Sequence, residues 1–421
     1  MKVLLVGGGG REHALAWHIA RSPLVDVLYA APGNPGIARH ARCLPTSVDD
    51  HEAIVRFAEA ERIDLTIVGP EVPLVGGLWD RLAAHGLVAL GPSAKAAMIE
   101  GSKAFAKALM SRHGIPTAAF ATFDDAARAR AYCRELGPPL VVKADGLAAG
   151  KGAIVCPTLA AADEAIALCM ERRSFGVAGA TVVIEEFLRG EEVSFFAVAN
   201  GSDVVPLAVA QDHKTIFDDD RGPNTGGMGA YGPVARVDGM LTRRIMETIV
   251  TPTIRALGAE GAPYRGVLFV GLMLAADGPK VIEFNCRFGD PECQVILAAA
   301  DGDVVPLLLA AARGERLPEP GGAGRHAVCV TLASGGYPGP YPTGLPIDGI
   351  DAAEAREGVR VFHAGTAERN GKLVTAGGRV LGVTATAADL ATAVARAYAA
   401  VGDVTFEGMH FRRDIGRKGL G

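Results

Sequence analysis

The chain has 421 residues, enough for about three domains at roughly 150 residues each. Its 49% hydrophobic and 21% charged residues are ordinary for a globular protein, and a net charge of −5 gives no general basis for binding nucleic acid or an acidic membrane. Seven scattered cysteines without a CxxC pair indicate neither a zinc knuckle nor a disulfide framework, no apolar run reaches the ~18 residues of a membrane span, and the apolar start is too short for a signal peptide, so a cytoplasmic protein is expected.

Residues 1–100 alternate strand and helix. Strands are predicted over 3–6, 27–31, 65–68 and 88–90, and a helix over 13–20. Such alternation implies a parallel, doubly wound sheet, and ligands sit beyond the carboxyl ends of its strands. The first strand runs into GGGGREHA. Gly7 and Gly9 are followed by Glu12, so the strict dinucleotide pattern is absent, and the second strand ends in Ala31-Pro32 with no acid for a ribose. A phosphate-bearing substrate, a structural turn and NAD all remain open for this loop.

Residues 103–190 form a second unit, with a helix over 103–113 and strands over 139–143 and 182–187. Between the strands lies KADGLAAGKG, residues 143–152. It is not a Walker A loop, because three residues separate Gly146 from Gly150 and Gly152 stands where Ser or Thr belongs. Small residues flanked by Lys143 and Lys151 can still close over phosphate. VIEEFLRGEEVS, residues 183–194, reads as strand, turn, strand; it is either a nucleotide edge or a solvated acidic turn.

Residues 191–315 are richer in strand and carry a long loop over 211–232. Long loops in compact domains are often binding loops. The segment VIEFNCRFGDPECQ, residues 281–294, alternates like a strand. Ile282 and Phe284 fall on one face, and Glu283, Asn285 and Arg287 on the other. A carboxylate and an amide oxygen two residues apart suit one hard cation, and an arginine beyond them can fork onto a carboxylate or phosphate. The bland alternatives are an edge strand with a solvated face and an arginine that pins the following turn through Asp290 or Glu292. A Pro/Gly linker over 317–324 leads to what reads as a separate α+β cap, 326–421, with a strand over 327–332, a hairpin over 373–383 and a helix over 389–401.

Taken together, GGREHALAW, APGNPG, DLTIVGPE, EGSKAF, KADGLAAGKG, IEEFLRGEE, GPNTGGMGAY, EFNCRFGDPE and SGGYP resemble the phosphoribosylamine–glycine ligase (glycinamide ribonucleotide synthetase) family of the ATP-grasp superfamily, over nearly the whole length. The resemblance implies an α/β fold: a Rossmann-like domain over 1–102, an ATP-grasp domain over 103–320 with a lid at about 120–190, and a small α+β domain over 326–421. It implies ligation of glycine to 5-phosphoribosylamine with ATP, through a glycyl phosphate, by a cytoplasmic monomer that binds small molecules, no nucleic acid and no membrane.

By the same resemblance, Lys103, Lys143, Gly150, Lys151 and Gly152 would hold ATP phosphates. Glu185, Glu186, Phe187 and Leu188 would form the adenine hinge. Glu192, or its neighbour Glu191, would hold the ribose. Glu283 and Asn285 would hold Mg²⁺ or Mn²⁺. Lys143 and Arg287 would serve the chemistry. Gly9, Gly10, Arg11, Glu71, Asp212, Lys214, Asn224, Thr225, Gly226, Gly227, Met228, Asp290 and Pro291 would line the substrates. Position 8 is Gly where relatives commonly have Asn, and the predicted strand before the metal pair carries no acid. No cysteine or serine nucleophile is needed, because ATP itself activates the carboxylate. The Lys143 loop is expected to close and exclude water. The rival classes are a nicotinamide oxidoreductase, a nucleotide-sensing module and a sibling ATP-grasp ligase for another carboxylate.

Overall fold

The computed structural model describes residues 1–148 and 152–421. Strands β1 (Lys2–Gly7), β2 (Val27–Pro32), β3 (Arg42–Cys43), β4 (Leu65–Val68) and β5 (Ala89–Leu90) form a parallel sheet in the order β3-β2-β1-β4-β5. Their apolar runs are buried on both faces, as a doubly wound sheet requires. The loops after β1, β2 and β4 therefore share one rim, and the Asn34 amide ties two of them by donating to the Gly8 carbonyl at 2.9 Å.

A second, antiparallel sheet is built from β6 (Phe120–Phe123), β7 (Leu140–Ala144), β8 (Ala153–Cys156) and β9 (Val182–Glu186), in the order β6-β9-β7-β8. It has its own small core around Leu140, Val142, Ile166 and Ile184. The segment after β9 crosses to a larger sheet. This contains β10 (Glu191–Asn200) and β11 (Val204–Asp212); the hairpin strands β12 (Thr215–Phe217) and β13 (Arg221–Asn224) stand apart from it. It continues with β14 (Gly229–Gly232), β15 (Arg265–Ala275), β16 (Gly278–Asn285), β17 (His326–Ala333) and β18 (Val359–His363). After the separate ribbon of β19 (Thr366–Arg369) and β20 (Lys372–Thr375) comes β21 (Arg379–Ala387). The large sheet runs β16-β15-β10-β11-β14-β17-β21-β18.

Two expectations change here. The last segment does not stand off as a cap, because β17 pairs with β14 and carries the sheet onward. The hairpin expected over 373–383 is absent: β20 pairs with β19, while β21 pairs with β17 and β18. Asn370 at φ 52° and Gly371 at φ 73° make the tight turn between β19 and β20, a conformation that both residue types tolerate.

The first and last segments also meet. The His363 N–H donates to His13 Nδ1 at 2.7 Å, and Asn34 Nδ2 donates to the His363 carbonyl at 2.9 Å. Burial, helped by Arg39 and opposed by Glu354, lowers the His363 pKa to about 4. The unfolded chain thus binds a proton that the folded chain refuses between about pH 6.5 and 4. Stability is expected to fall as pH falls through that window, by about 2 kcal/mol at pH 5 from this group alone. Urea midpoints at pH 7 and pH 5 check this: His363→Asn should narrow the gap between them, and an equal gap in the variant would remove His363 as its source.

Candidate active site

β16 ends at the site, and its geometry departs from simple alternation. Gly271 opposes Glu283 and Leu272 opposes Val281, so Ile282 is an extra, bulged residue. A bulge re-aims the side chains beside it. Val281 and Phe284 join the core, while Ile282 stays half-buried outside it, not on the apolar face with Phe284. The Ile282 carbonyl instead accepts from Lys143 Nζ at 2.9 Å. Opposite, Gly271 leaves room for the acid: a Cβ there would lie 3.2 Å from Glu283 Cγ.

Lys143 also lies 2.9 Å from Glu185 Oε1, and Lys107 lies 2.9 Å from Glu185 Oε2. The Glu185 carboxylate is thus engaged by two lysines, which leaves the backbone and the half-buried Phe187 and Leu188 as the free part of the hinge. Glu186 accepts from the Ala119 N–H at 3.0 Å. Burial lowers the Lys107 pKa to about 8 against the pull of Glu185. Lys103 begins the helix Lys103–Arg112 and donates to the Gly146 carbonyl at 2.9 Å. Asp145 fixes the start of that loop by accepting from Ser102 Oγ at 2.9 Å and from the Ala104 N–H at 3.0 Å. Gly150 and Lys151 lie outside the described residues, and so does the middle of the loop expected to close.

Glu283 sits among cations. Burial pushes its carboxyl up, but Lys214, Lys143, Lys103 and Arg287 overcome this and hold it down at about 2. Lys214 bridges Glu283, at 3.6 Å, and Glu192. Glu191, on the other face of β10, pairs with Arg236 at 3.1 Å. Asp212 is close to this group, and burial raises its pKa, with Glu292 and Glu192 adding and Lys214 opposing. Asn285 is buried; its Oδ1 accepts from Arg287 Nη2 at 3.2 Å, and its Nδ2 has no partner among the described residues. An ionised carboxylate beside an amide oxygen is a hard donor pair. Among the described residues no group of three or more His, Cys, Asp or Glu is arranged to hold a metal. A donor pair of this kind suits a hard cation such as Mg²⁺.

Arg287 leaves this pair for the N-terminal domain. Its Nε meets Glu71 Oε2 at 3.0 Å, and its Nη2 meets Glu100 Oε1 at 2.8 Å. The partners are therefore not Asp290 or Glu292, the acids nearest in sequence. Glu100 also accepts the Cys286 N–H at 2.7 Å, from 186 residues away. Next comes Arg11, which bonds Glu12 Oε1 at 2.6 Å and the Phe288 carbonyl at 3.1 Å. Glu12, three residues into the turn, accepts the Gly9 N–H at 2.7 Å, so that amide is already engaged at the start of the helix. A Cβ at Gly8 would stand 2.5 Å from the Gly33 carbonyl oxygen, so this backbone leaves no space for a side chain there.

The loop with Asn224, Gly226 and Gly227 folds against His213 and Lys214: the Thr225 N–H donates to the Lys214 carbonyl at 2.7 Å, and the Met228 N–H to the His213 carbonyl at 2.8 Å. The Thr225 hydroxyl donates to the Lys214 carbonyl at 2.8 Å, and the Met228 side chain is buried with Ile216 and Ala333, so what this loop presents at those two positions is its backbone. Pro291 packs on the same loop, as a Cβ at Gly227 would lie 2.6 Å from its Cδ. Lys107 and Arg379 belong to the site but carried no motif of their own; Glu12 lies within GGREHALAW and Glu100 opens EGSKAF, without a role of its own being readable there.

Models of the phosphoribosylglycinamide synthetase N domain, ATP-grasp (A) domain and C domain match residues 1–100, 101–293 and 327–418. The phosphoribosylamine–glycine ligase of Agrobacterium fabrum is 52% identical over 99% of this chain and 98% of its own. That of Brucella melitensis is 50% identical over 99% and 97%. The crystal structure of the Thermotoga maritima phosphoribosylamine–glycine ligase superposes with a TM-score of 0.86 at 36% identity, over 98% of this chain and all of that one. The chain belongs to the phosphoribosylamine–glycine ligase family of ATP-grasp enzymes, which join glycine to 5-phosphoribosylamine with ATP and a divalent metal ion, forming glycinamide ribonucleotide in purine biosynthesis.

Proposed function

We propose that the row of groups from Glu185 through Glu283 and Arg287 to Gly9 is the path of the reaction. ATP lies at the β9–β10 crossover, with its adenine on the hinge residues 185–188, its ribose at Glu192 and its phosphates at Lys103, Lys143 and the glycine loop, residues 145–152. The Glu283 carboxylate and the Asn285 amide oxygen would hold a Mg²⁺ or Mn²⁺ ion, which when bound would supply charge neutralisation on the polyphosphate. Arg287 orients the glycine carboxylate, whose oxygen attacks the γ-phosphorus to give glycyl phosphate and ADP. The amine of phosphoribosylamine, held near Gly9, Gly10, Arg11 and Glu71, attacks the acyl carbon. Phosphate leaves, and the amine loses a proton as the amide forms. The protein's part is positioning and charge compensation.

What carries this reading is the position of Glu283: ionised, faced by Lys214, Lys143 and Lys103, and two residues from Asn285. The divisions 1–102, 103–320 and 326–421 remain the working domain boundaries. Small molecules as partners, a single working chain and a cytoplasmic setting complete the proposal, supported by the net charge of −5 and by the free cysteines. An ADP-release assay with phosphoribosylamine and a panel of amino acids tests it. Release is expected only with glycine, phosphoribosylamine and divalent metal together. Equal release with another amino acid, or release without phosphoribosylamine, would overturn the substrate assignment.

A further inference from the structure

Arg379 on β21 reaches back into the site from the C-terminal segment. Its Nη1 donates to the Gly226 carbonyl at 2.5 Å and to the Asp290 carbonyl at 2.6 Å, with the Gly227 carbonyl at 3.3 Å. Its Nη2 lies 3.3 Å from Asp290 Oδ2. One planar cation thus joins two loops that are 64 residues apart in sequence (290 − 226). Hydrogen bonds from a cation to carbonyl oxygens are stronger than neutral ones, and the fork fixes direction as well as distance. The fit is close: a Cβ at Gly226 would stand 3.0 Å from Arg379 Cζ. On its other side the Gly226 N–H donates to the Tyr337 hydroxyl at 3.0 Å, so the C-terminal segment holds this peptide by both edges.

Asp290 connects the clamp to the first loop. A Cβ at Gly10 would lie 3.6 Å from Asp290 Oδ1, and one at Gly9 3.7 Å from Oδ2. Gln294 Nε2 holds Oδ1 at 2.8 Å. Where Arg379 stands therefore decides where the Asp290 carboxylate stands relative to Gly9 and Gly10. The ATP end lies elsewhere, at Lys143, Lys103 and the hinge.

We propose that Arg379 is a positioning residue for phosphoribosylamine: by joining Gly226 and Asp290 it shapes the wall of the site facing Gly9 and Gly10, so that the C-terminal domain sets affinity for this one substrate. The inference rests on the reading above, which puts phosphoribosylamine at Gly9–Arg11.

Arg379→Gln removes the charge and one arm of the fork. The KM for phosphoribosylamine should rise tenfold or more, while affinity for a non-hydrolysable ATP analogue and the glycine KM stay within threefold. Gly226→Ala, which keeps Arg379 but crowds its guanidinium, should raise the same KM by a smaller factor; it also serves as the readout should Arg379→Gln fold poorly. Arg379→Lys should recover only part of the loss, since an ammonium cannot meet both carbonyls and the carboxylate in one plane. Unchanged phosphoribosylamine KM in folded variants would overturn the proposal. So would an equal rise for all three substrates alongside a lowered melting temperature, since this would make Arg379 a structural brace. Wild-type turnover that does not depend on phosphoribosylamine would strike the underlying reading instead, and is visible before any variant is made.

Discussion

Glu283→Gln is expected to lower turnover by a hundredfold or more, a barrier increase of about 3 kcal/mol or more. The substitution keeps the size of the side chain and removes one negative charge. That charge is held ionised far below neutral pH by Lys214, Lys143, Lys103 and Arg287, so it is present at every working pH. The fold should survive, because the cations keep other partners: Lys214 retains Glu192, Lys143 retains Glu185, and Arg287 retains Glu71 and Glu100. Metal dependence should shift with it, and more Mg²⁺ should be needed for half-maximal ADP release. Wild-type turnover at ordinary Mg²⁺ would end the assignment of Glu283 as a metal ligand.

The second large effect belongs to Arg287. Its guanidinium meets Glu71 through Nε, Glu100 and Asn285 through Nη2, and the Phe288 carbonyl through Nη1. A lysine ammonium is a point charge and cannot satisfy all four directions. Arg287→Lys should therefore raise the glycine KM or lower kcat by at least tenfold, about 1.4 kcal/mol. ATP-analogue affinity should stay within threefold, under roughly 0.7 kcal/mol. The structure adds a cost that strand alternation did not suggest. Glu100 is buried, and losing its fork partner should cost about 1–3 kcal/mol of stability, read as a lower melting temperature. The contrast between the two ligands decides the role. A loss of ATP-analogue affinity as large as the glycine defect would show that Arg287 braces the whole cleft and does not orient the carboxylate.

Much of this site was legible before any coordinates. The strands before Gly7, Pro32 and Gly69 stop where apolar runs meet Gly and Pro, and a parallel sheet then brings their loops to one rim. The alternation from Glu283 to Arg287 marked a functional strand end, and the motifs around it pointed to the family. The α/β architecture with an ATP-grasp core followed from that resemblance, and the biotin carboxylase of Campylobacter jejuni, at 16% identity and a TM-score of 0.76, shares the same fold.

Other features were invisible because they depend on pairings between distant segments. Local alternation assumes one residue per step, so it cannot announce the bulge that takes Ile282 out of the core. Strand propensity at 373–383 was right as to type, but sheet register gave β20 to β19 and β21 to β17 and β18. Lys107 and Arg379 sit in unremarkable helix and strand sequences, and Glu100 opens a motif that gave it no role; each matters only because packing sets it against Glu185, Asp290 or Arg287. By itself the sequence determined most of the elements and the family, and it nominated candidate residues for the chemistry, since these depend on residue type and short spacing. The tertiary structure alone decided which acid meets which base, because burial makes an unpaired charge costly and the partner that cancels it is chosen by proximity in space, not by distance along the chain.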